Sequence, residues 1–372
     1  MNNNFMRVRY SYLKQQFSNC PDLWSKLKKF VKTGDFTLGK PLIEFERKFA
    51  KLIGSKYAVG VNSGTDAIKL SLKTLNIKPG DEIITAANTF VATVGAIVEL
   101  GAKPVFVDCD NTFCMNTDLV ERKISKKTKA IVPVHFTGYM ANMVKLKKIS
   151  KKYKIPIIED ACQSILGSIN NKNAGTWSEF GAFSLHPLKN INVWSDGGII
   201  TTNNTKFYKH LKLLRNHGLI DRDTVKISGY NSRLDTLQAV VGNWLLPKAK
   251  FIANKRISNA KYYDHKFSKV KEITIPPRPK NYKIVFHLYV LFAKKRDKLL
   301  KYCHSKGIEA KIHYPKPMYL QESLRFLKHK RGDFPVTDKH AKTIITFPCD
   351  QHLKRKEMDY IVKVVNDFYK RN

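Results

Sequence analysis

Between residues 57 and 202 the chain alternates short β-rich runs with helical stretches, and this alternation restricts the fold more than any other feature of the sequence. The runs are 57–61, 82–86, 104–108, 130–135, 155–159, 181–185 and 198–202. Between them lie helical patterns such as Ile68, Leu72 and Leu75, spaced i, i+4, i+7, and the stretch 91–100. Such alternation calls for a mostly parallel sheet covered by helices on both faces. Residues 1 to about 55 read as helical segments around the turn Gly34-Asp-Phe-Thr-Leu-Gly39. After Gly229-Tyr-Asn-Ser-Arg-Leu-Asp235 a helical stretch runs from 236 to about 267, and Pro276, Pro277 and Pro279 mark a connection beyond it. The expected fold class is therefore α/β. A large domain, 1–245, carries a mostly parallel central sheet flanked by helices, and a smaller C-terminal α+β domain spans 246–372.

Composition removes several function classes. No uninterrupted apolar run approaches the roughly 18–20 residues of a membrane span, and the start, Met1 to Arg7, lacks the apolar core of a secretory signal. The six cysteines are scattered, with no C-x-x-C pair and no histidine at metal-ligand spacing. Reduced thiols in a cytoplasmic protein without a bound metal is the reading. The net charge of +37 suits a nucleic-acid partner, an anionic membrane or an anionic ligand. Its lysines are spread in pieces such as 123–129 and 145–154, on what read as solvent faces of helices. No basic tail, zinc-finger spacing or basic-aromatic RNA-binding signature accompanies them. A solvated basic surface that steers anions is expected, with neither nucleic acid nor membrane as partner.

In open α/β sheets ligands bind beyond the carboxyl ends of the strands. Polar residues cluster there: Asn62 to Thr65, Asn88 to Phe90, His135, and Asp160 to Gln163. No G-x-G-x-x-G follows the first run, which argues against a nicotinamide-binding fold. His135 reads as a core histidine. Ser63-Gly64-Thr65, at a strand-to-helix junction, offers hydroxyls, backbone N–H groups and a helix dipole to an anion; Ser and Thr serve equally there as plain helix caps. Asp160 ends an apolar run, where a carboxylate is costly unless a cation meets it. A pyridinium nitrogen is one such cation, and pyridoxal phosphate (PLP) chemistry requires an acidic partner for it; a loop cap or surface ion pair is the alternative. Lys189 stands between the run 181–185 and the Gly197-Gly198 turn, with Ser184 and Asn190 near it. A lysine whose ammonium pKa is lowered by burial and a cationic ring is a competent nucleophile toward an aldehyde.

Six motifs then stand in order along the chain: Ser63-Gly-Thr-Asp-Ala67, Ala87-Asn-Thr-Phe-Val-Ala-Thr93, Glu159-Asp-Ala-Cys-Gln163, Phe183-Ser-Leu-His-Pro-Leu-Lys-Asn190, Asp196-Gly-Gly198 and Gly229-Tyr-Asn-Ser-Arg-Leu-Asp235; His313-Tyr-Pro315 follows them. In these motifs, over roughly residues 34–367, the chain resembles the DegT/DnrJ/EryC1/StrS family of sugar aminotransferases, within the fold-type I PLP superfamily. The resemblance implies that Lys189 forms the Schiff base with PLP and shuttles the substrate proton, and that Asp160 pairs with the pyridinium nitrogen. It implies that Gln163 hydrogen-bonds the phenolic oxygen, Phe90 stacks on the ring, and Gly64, Thr65 and Ser184 hold the phosphate. Asn231 is implied to reach the phosphate of a neighbouring subunit, hence a homodimer with shared sites. The implied reaction moves an amino group from glutamate to a nucleotide-linked keto sugar, in amino-sugar biosynthesis for a surface polysaccharide or glycan. Lys311, His313 and Tyr314 are the candidate substrate contacts, with a solvated lysine as the other reading of Lys311. Departures from the family pattern are Cys162, where a small residue such as Ala is usual, and Leu185-His186 in place of a Phe-Tyr or Phe-His pair. A cyclitol or aminobenzoate precursor is the alternative acceptor. A nucleic-acid-binding or regulatory protein on the same fold is the alternative from another class, and retention of both Lys189 and Asp160 argues against it.

Overall fold

The structure, a computed structural model, describes residues 6–371; residues 1–5, most of the stretch read for a secretory signal, and Asn372 lie outside the described residues. The seven runs become seven strands: β1 Tyr57–Val61, β2 Glu82–Ala86, β3 Lys103–Val107, β4 Thr128–Val132, β5 Ile158–Asp160, β6 Phe180–Ser184 and β7 Gly198–Thr202. Their spatial order is β3-β2-β4-β5-β6-β7-β1, with β4 and β5 joined through the parallel bridges Ile131↔Ile157 and Val134↔Asp160. All neighbours run parallel except β7, which is antiparallel to both β6 and β1. Strands β4 and β5 are shorter than the runs 130–135 and 155–159 suggest. Pro133 and Pro156 lie at this junction and only accept, from Asp160 N–H (2.9 Å) and Ile131 N–H (3.0 Å); a proline has no N–H to continue the ladder.

Adjacent isoleucines divide the core between the two faces of the sheet. Ile84, Ile157 and Ile199 join one apolar cluster, and Ile83, Ile158 and Ile200 join the other. This is the period-2 alternation of a strand buried on both sides. Helices α1 (Gly64–Thr74) and α2 (Val91–Val98) follow β1 and β2. The stretch 236–267 is not one helix: α3 (Thr236–Leu245) and α4 (Ala249–Phe267) are separated by a 3-10 turn, Leu246–Lys248. Pro247 lies inside that turn and removes an amide donor from a continuous helix.

Past α4 a second, antiparallel sheet forms from β8 (Ile273–Thr274), β9 (Tyr289–Ala293) and β10 (Ile344–Phe347), with β9 in the middle. The helices Arg296–Ser305 and Arg355–Lys370 pack with each other beside it. One departure from the sequence reading concerns residues 6–12. Helices Leu13–Phe17, Pro21–Val31 and Lys40–Ile53 form as expected. The segment before them instead runs alongside the C-terminal part, with Val8 N–H donating to Gly307 (2.9 Å) and Glu309 N–H to Val8 (3.0 Å). The lysines of 123–129 and 145–154 are mostly exposed, as Lys126, Lys127, Lys148 and Lys151 are. Among the described residues no helix is long and apolar enough to cross a membrane.

Candidate active site

Beyond the carboxyl ends of β1, β2, β5 and β6 lies a cavity of about 310 Å³. Ten of the residues singled out in the sequence line it: Gly64, Thr65, Phe90, Asp160, Gln163, Ser184, Lys189, Lys311, His313 and Tyr314. A larger surface hollow of about 700 Å³, among Lys26, Lys29, Lys40 and Lys48, contains none of them. The smaller cavity is the candidate because its polar groups converge.

At one end of the cavity stands the start of α1. Ser63 is extended and its hydroxyl accepts from Asp66 N–H (3.1 Å), so it is a true N-cap. The first N–H groups of the helix, at Gly64 and Thr65, have no intrahelical acceptor, and the helix dipole adds positive potential there. Space explains the glycines: a Cβ on Gly64 would lie 2.7 Å from Ser184 Cβ and 3.0 Å from Cys162 Sγ, and one on Gly198 would lie 2.1 Å from the Ser63 carbonyl oxygen. Three segments thus meet at backbone distance, bringing the hydroxyls of Ser63, Thr65 and Ser184 around one helix N-terminus. The arrangement suits a phosphate.

Asp160 ends β5 and is buried, with Oδ2 accepting from Thr93 Oγ1 (2.7 Å) and Oδ1 from Cys162 N–H (3.2 Å). Gln163 accepts the Thr137 N–H at its amide oxygen (2.7 Å), which leaves its NH₂ as the donor end. Lys189 sits in a turn whose backbone is tied by Asn192 Nδ2 to the carbonyls of Pro187 (2.8 Å) and Lys189 (3.0 Å). Burial lowers the pKa of its ammonium group, and negative charge on Cys162 and Asp160 would oppose the fall. The Cys162 thiol is itself pushed well up by burial and so stays neutral near pH 7.

On the opposite wall the Phe90 ring lies 6.0 Å from that of Tyr314, whose hydroxyl pKa is raised by burial. His313 stacks on Tyr10 at 5.9 Å and its Nδ1 is 2.9 Å from Thr346 Oγ1. Burial, with Lys311 and Lys189 nearby, lowers its pKa to about 4, so the ring is neutral at physiological pH. Lys311 is exposed, with Nζ 4.3 Å from the centre of the Tyr10 ring. Sequence reasoning missed Tyr10, His186 and His287, which also line the cavity, and the role of Thr93 beneath Asp160. Thr93 lay within a quoted motif; nothing local to Tyr10 signals its position, which depends on pairing with residues 307–309.

Asn231 does not line the cavity. In the segment 229–235 alternate residues turn inward: Ser232 donates to Asp66 Oδ2 (2.7 Å) and Leu234 packs on Gly60. Asn231, immediately before Ser232, is exposed. His135 is a core residue, as its sequence context indicates: its Nδ1 accepts from Ala141 N–H (3.2 Å), so Nε2–H donates to Glu159 (3.0 Å).

A sequence profile described as the DegT/DnrJ/EryC1/StrS aminotransferase family matches residues 21–366. A pleiotropic regulatory protein of Geobacillus stearothermophilus is 34% identical over 98% of this chain and 99% of its own. The UDP-N-acetyl-3-dehydro-alpha-D-glucosamine 3-aminotransferase of Acidithiobacillus ferrooxidans is 34% identical over 91% of each chain. Among solved structures, S. venezuelae DesV in complex with a ketimine intermediate superposes with a TM-score of 0.96 at 30% identity, covering 98% of this chain and 99% of that one. With its fold, cavity and motifs all in agreement, the chain belongs to the DegT/DnrJ/EryC1/StrS aminotransferase family.

Proposed function

We propose that the protein is a PLP-dependent aminotransferase that transfers the amino group of glutamate to a nucleotide-linked keto sugar, in cytoplasmic amino-sugar biosynthesis. The observation that carries this reading is the convergence of Lys189, Asp160, Gln163 and the α1 N-terminus on one cavity. Together they match the cofactor's aldehyde, ring nitrogen, phenolic oxygen and phosphate. Bound there, the cofactor supplies an aldehyde that exchanges amines and a ring that takes up electrons.

In this reading Lys189 is the attachment point, and its lowered pKa raises the fraction of neutral amine. Once displaced by an amino substrate, it holds and moves the proton at the reacting carbon. Asp160 keeps the ring nitrogen protonated, the NH₂ of Gln163 donates to the phenolic oxygen, and Phe90 covers a ring face. Gly64, Thr65 and Ser184 bind the phosphate. Residues 1–245 act as the cofactor-binding domain, and 246–372 as a smaller domain that supplies Lys311, His313 and Tyr314 to the substrate. Lys311 beside Tyr10 suits a diphosphate, whose remote binding positions the ketone. The aminotransferase named among the relatives supports a nucleotide-linked acceptor. The regulatory name of another relative does not favour a non-enzymatic role here, because the Lys189–Asp160 pair is intact.

Purified protein incubated with PLP, glutamate and a panel of nucleotide-linked keto sugars is expected to yield an amino-sugar nucleotide by mass spectrometry. The free keto sugar should react far less efficiently, and binding of the nucleotide form should weaken as salt rises. Equal efficiency on the free sugar, or preference for a cyclitol ketone, would overturn the substrate assignment.

A further inference from the structure

Behind Asp160, among residues that do not line the cavity, runs a short chain of hydroxyls. Thr93 Oγ1 lies 2.7 Å from Asp160 Oδ2, and Thr89 Oγ1 lies 2.7 Å from Thr93 Oγ1. Thr89 is 1% exposed and Thr93 0%, so bulk water does not compete for either contact. Each hydroxyl carries one proton, and an ionised carboxylate only accepts. With Asp160 ionised the chain has a single polarity: Thr89 donates to Thr93, and Thr93 donates to Asp160. Such aligned hydrogen bonds strengthen one another in a buried setting. Both threonines flank the start of α2: Phe90 is its N-cap and Thr93 lies in its first turn, where the helix dipole also favours negative charge. One helical turn therefore presents Phe90 to the cavity and Thr93 to the back of the carboxylate.

We propose that Thr93, backed by Thr89, is a positioning residue that holds Asp160 as an oriented carboxylate and so keeps the proton on the cofactor's ring nitrogen. This rests on the reading of Asp160 as the partner of that nitrogen. The titratable groups facing Asp160 are Cys162, Lys189 and Tyr314, and Cys162 and Tyr314 stay neutral near pH 7 because burial raises both. The hydroxyl chain thus stabilises the ionised form from behind while Lys189 does so from the cavity. Loss of the Thr93 donor makes the carboxylate more basic and draws the shared proton away from the ring. A less positive ring leaves the nitrogen that joins Lys189 to the cofactor protonated to a higher pH.

The test compares Thr93→Val, which keeps the shape and removes the donor, with Thr93→Ser, which keeps the donor, and with Thr89→Val. Four quantities are read on purified protein: thermal unfolding, PLP affinity of the cofactor-free protein, the pH midpoint of the bound cofactor's visible absorbance, and kcat against KM. Thr93→Val is expected to raise the midpoint by roughly half a pH unit or more. It should lower kcat about tenfold, the scale of a hydrogen bond to a charged group, while KM for the amino donor changes by less than about twofold. Thr93→Ser should return both to near the wild-type values, and Thr89→Val should move them the same way by less. A wild-type midpoint and kcat in Thr93→Val, or equal damage in Thr93→Ser, overturns the proposal. If Thr93→Val does not fold, an unshifted midpoint in Thr89→Val overturns it instead. Wild-type protein that takes up no PLP would overturn the functional reading and this proposal together, whereas yellow protein with insensitive threonine variants overturns the proposal alone.

Discussion

Lys189 is one of 67 basic residues, and what separates it from the others is its surroundings. Asn192, bonded to the carbonyls of Pro187 and Lys189, fixes a tight turn, and burial destabilises the charge of Lys189. An amine of this kind is reactive at a pH where surface lysines remain ammonium. Borohydride treatment of the yellow protein should therefore fix the cofactor to the peptide containing Lys189, and peptide mass mapping checks this. Recovery of the label on any other lysine would remove the assignment. Lys189→Ala should still take up PLP through the phosphate-binding turn, detectable by absorbance, yet show no turnover. Gln163 illustrates the same dependence on surroundings. Its carbonyl end is already committed to Thr137, so its orientation in the cavity follows from a hydrogen bond to the backbone.

Among the elements, the junction of β1 and α1 carries the strictest steric requirement. A methyl group on Gly64 would press against Ser184 Cβ and Cys162 Sγ, both on segments held by the sheet. Gly64→Ala should cost about 1–3 kcal/mol, the usual range for overpacking; the fall in melting temperature measures it. PLP affinity should fall as well, since the anion-binding N–H groups move with the strand end. Wild-type values for both would show that the junction has slack. The sequence made these elements readable where the signal is local. The strand-helix alternation located all seven strands, and the motifs at their carboxyl ends located much of the cavity's lining. The long-range features were hidden. The antiparallel run of β7 depends on pairing with β1, far away in sequence, as well as with the nearby β6, and the pairing of Val8 with the segment 307–309 spans most of the chain. Thr93 was visible as a letter in a motif, but its meaning lies in a contact with Asp160 that no local pattern encodes.

At the scale of the whole molecule, the segment 229–235 sets the question of assembly. Ser232 and Leu234 fasten it to the β1–α1 junction, and Asn231 faces outward from beside the phosphate-binding turn. A second protomer docked on that face would receive Asn231 at its own cofactor, and the sites would be shared. Mixing Lys189→Ala chains with Asn231→Asp chains, each inactive alone, should then restore activity, because one site of each mixed dimer takes both residues from unmutated positions. Statistical pairing sets the recovery at about a quarter of wild type. No recovery in verified mixed dimers, or a fully active monomer by sedimentation, would rule out the sharing. The cavity itself joins distant parts of one chain: Asp160 comes from the end of β5, Lys189 from the turn after β6, Tyr10 from near the beginning, and Lys311 to Tyr314 from close to the end. A ribosome releases these pieces in order, so the reactive lysine is made long before the wall that encloses it. The substrate side of the cavity is thereby the last part to be made, after every residue assigned to the cofactor.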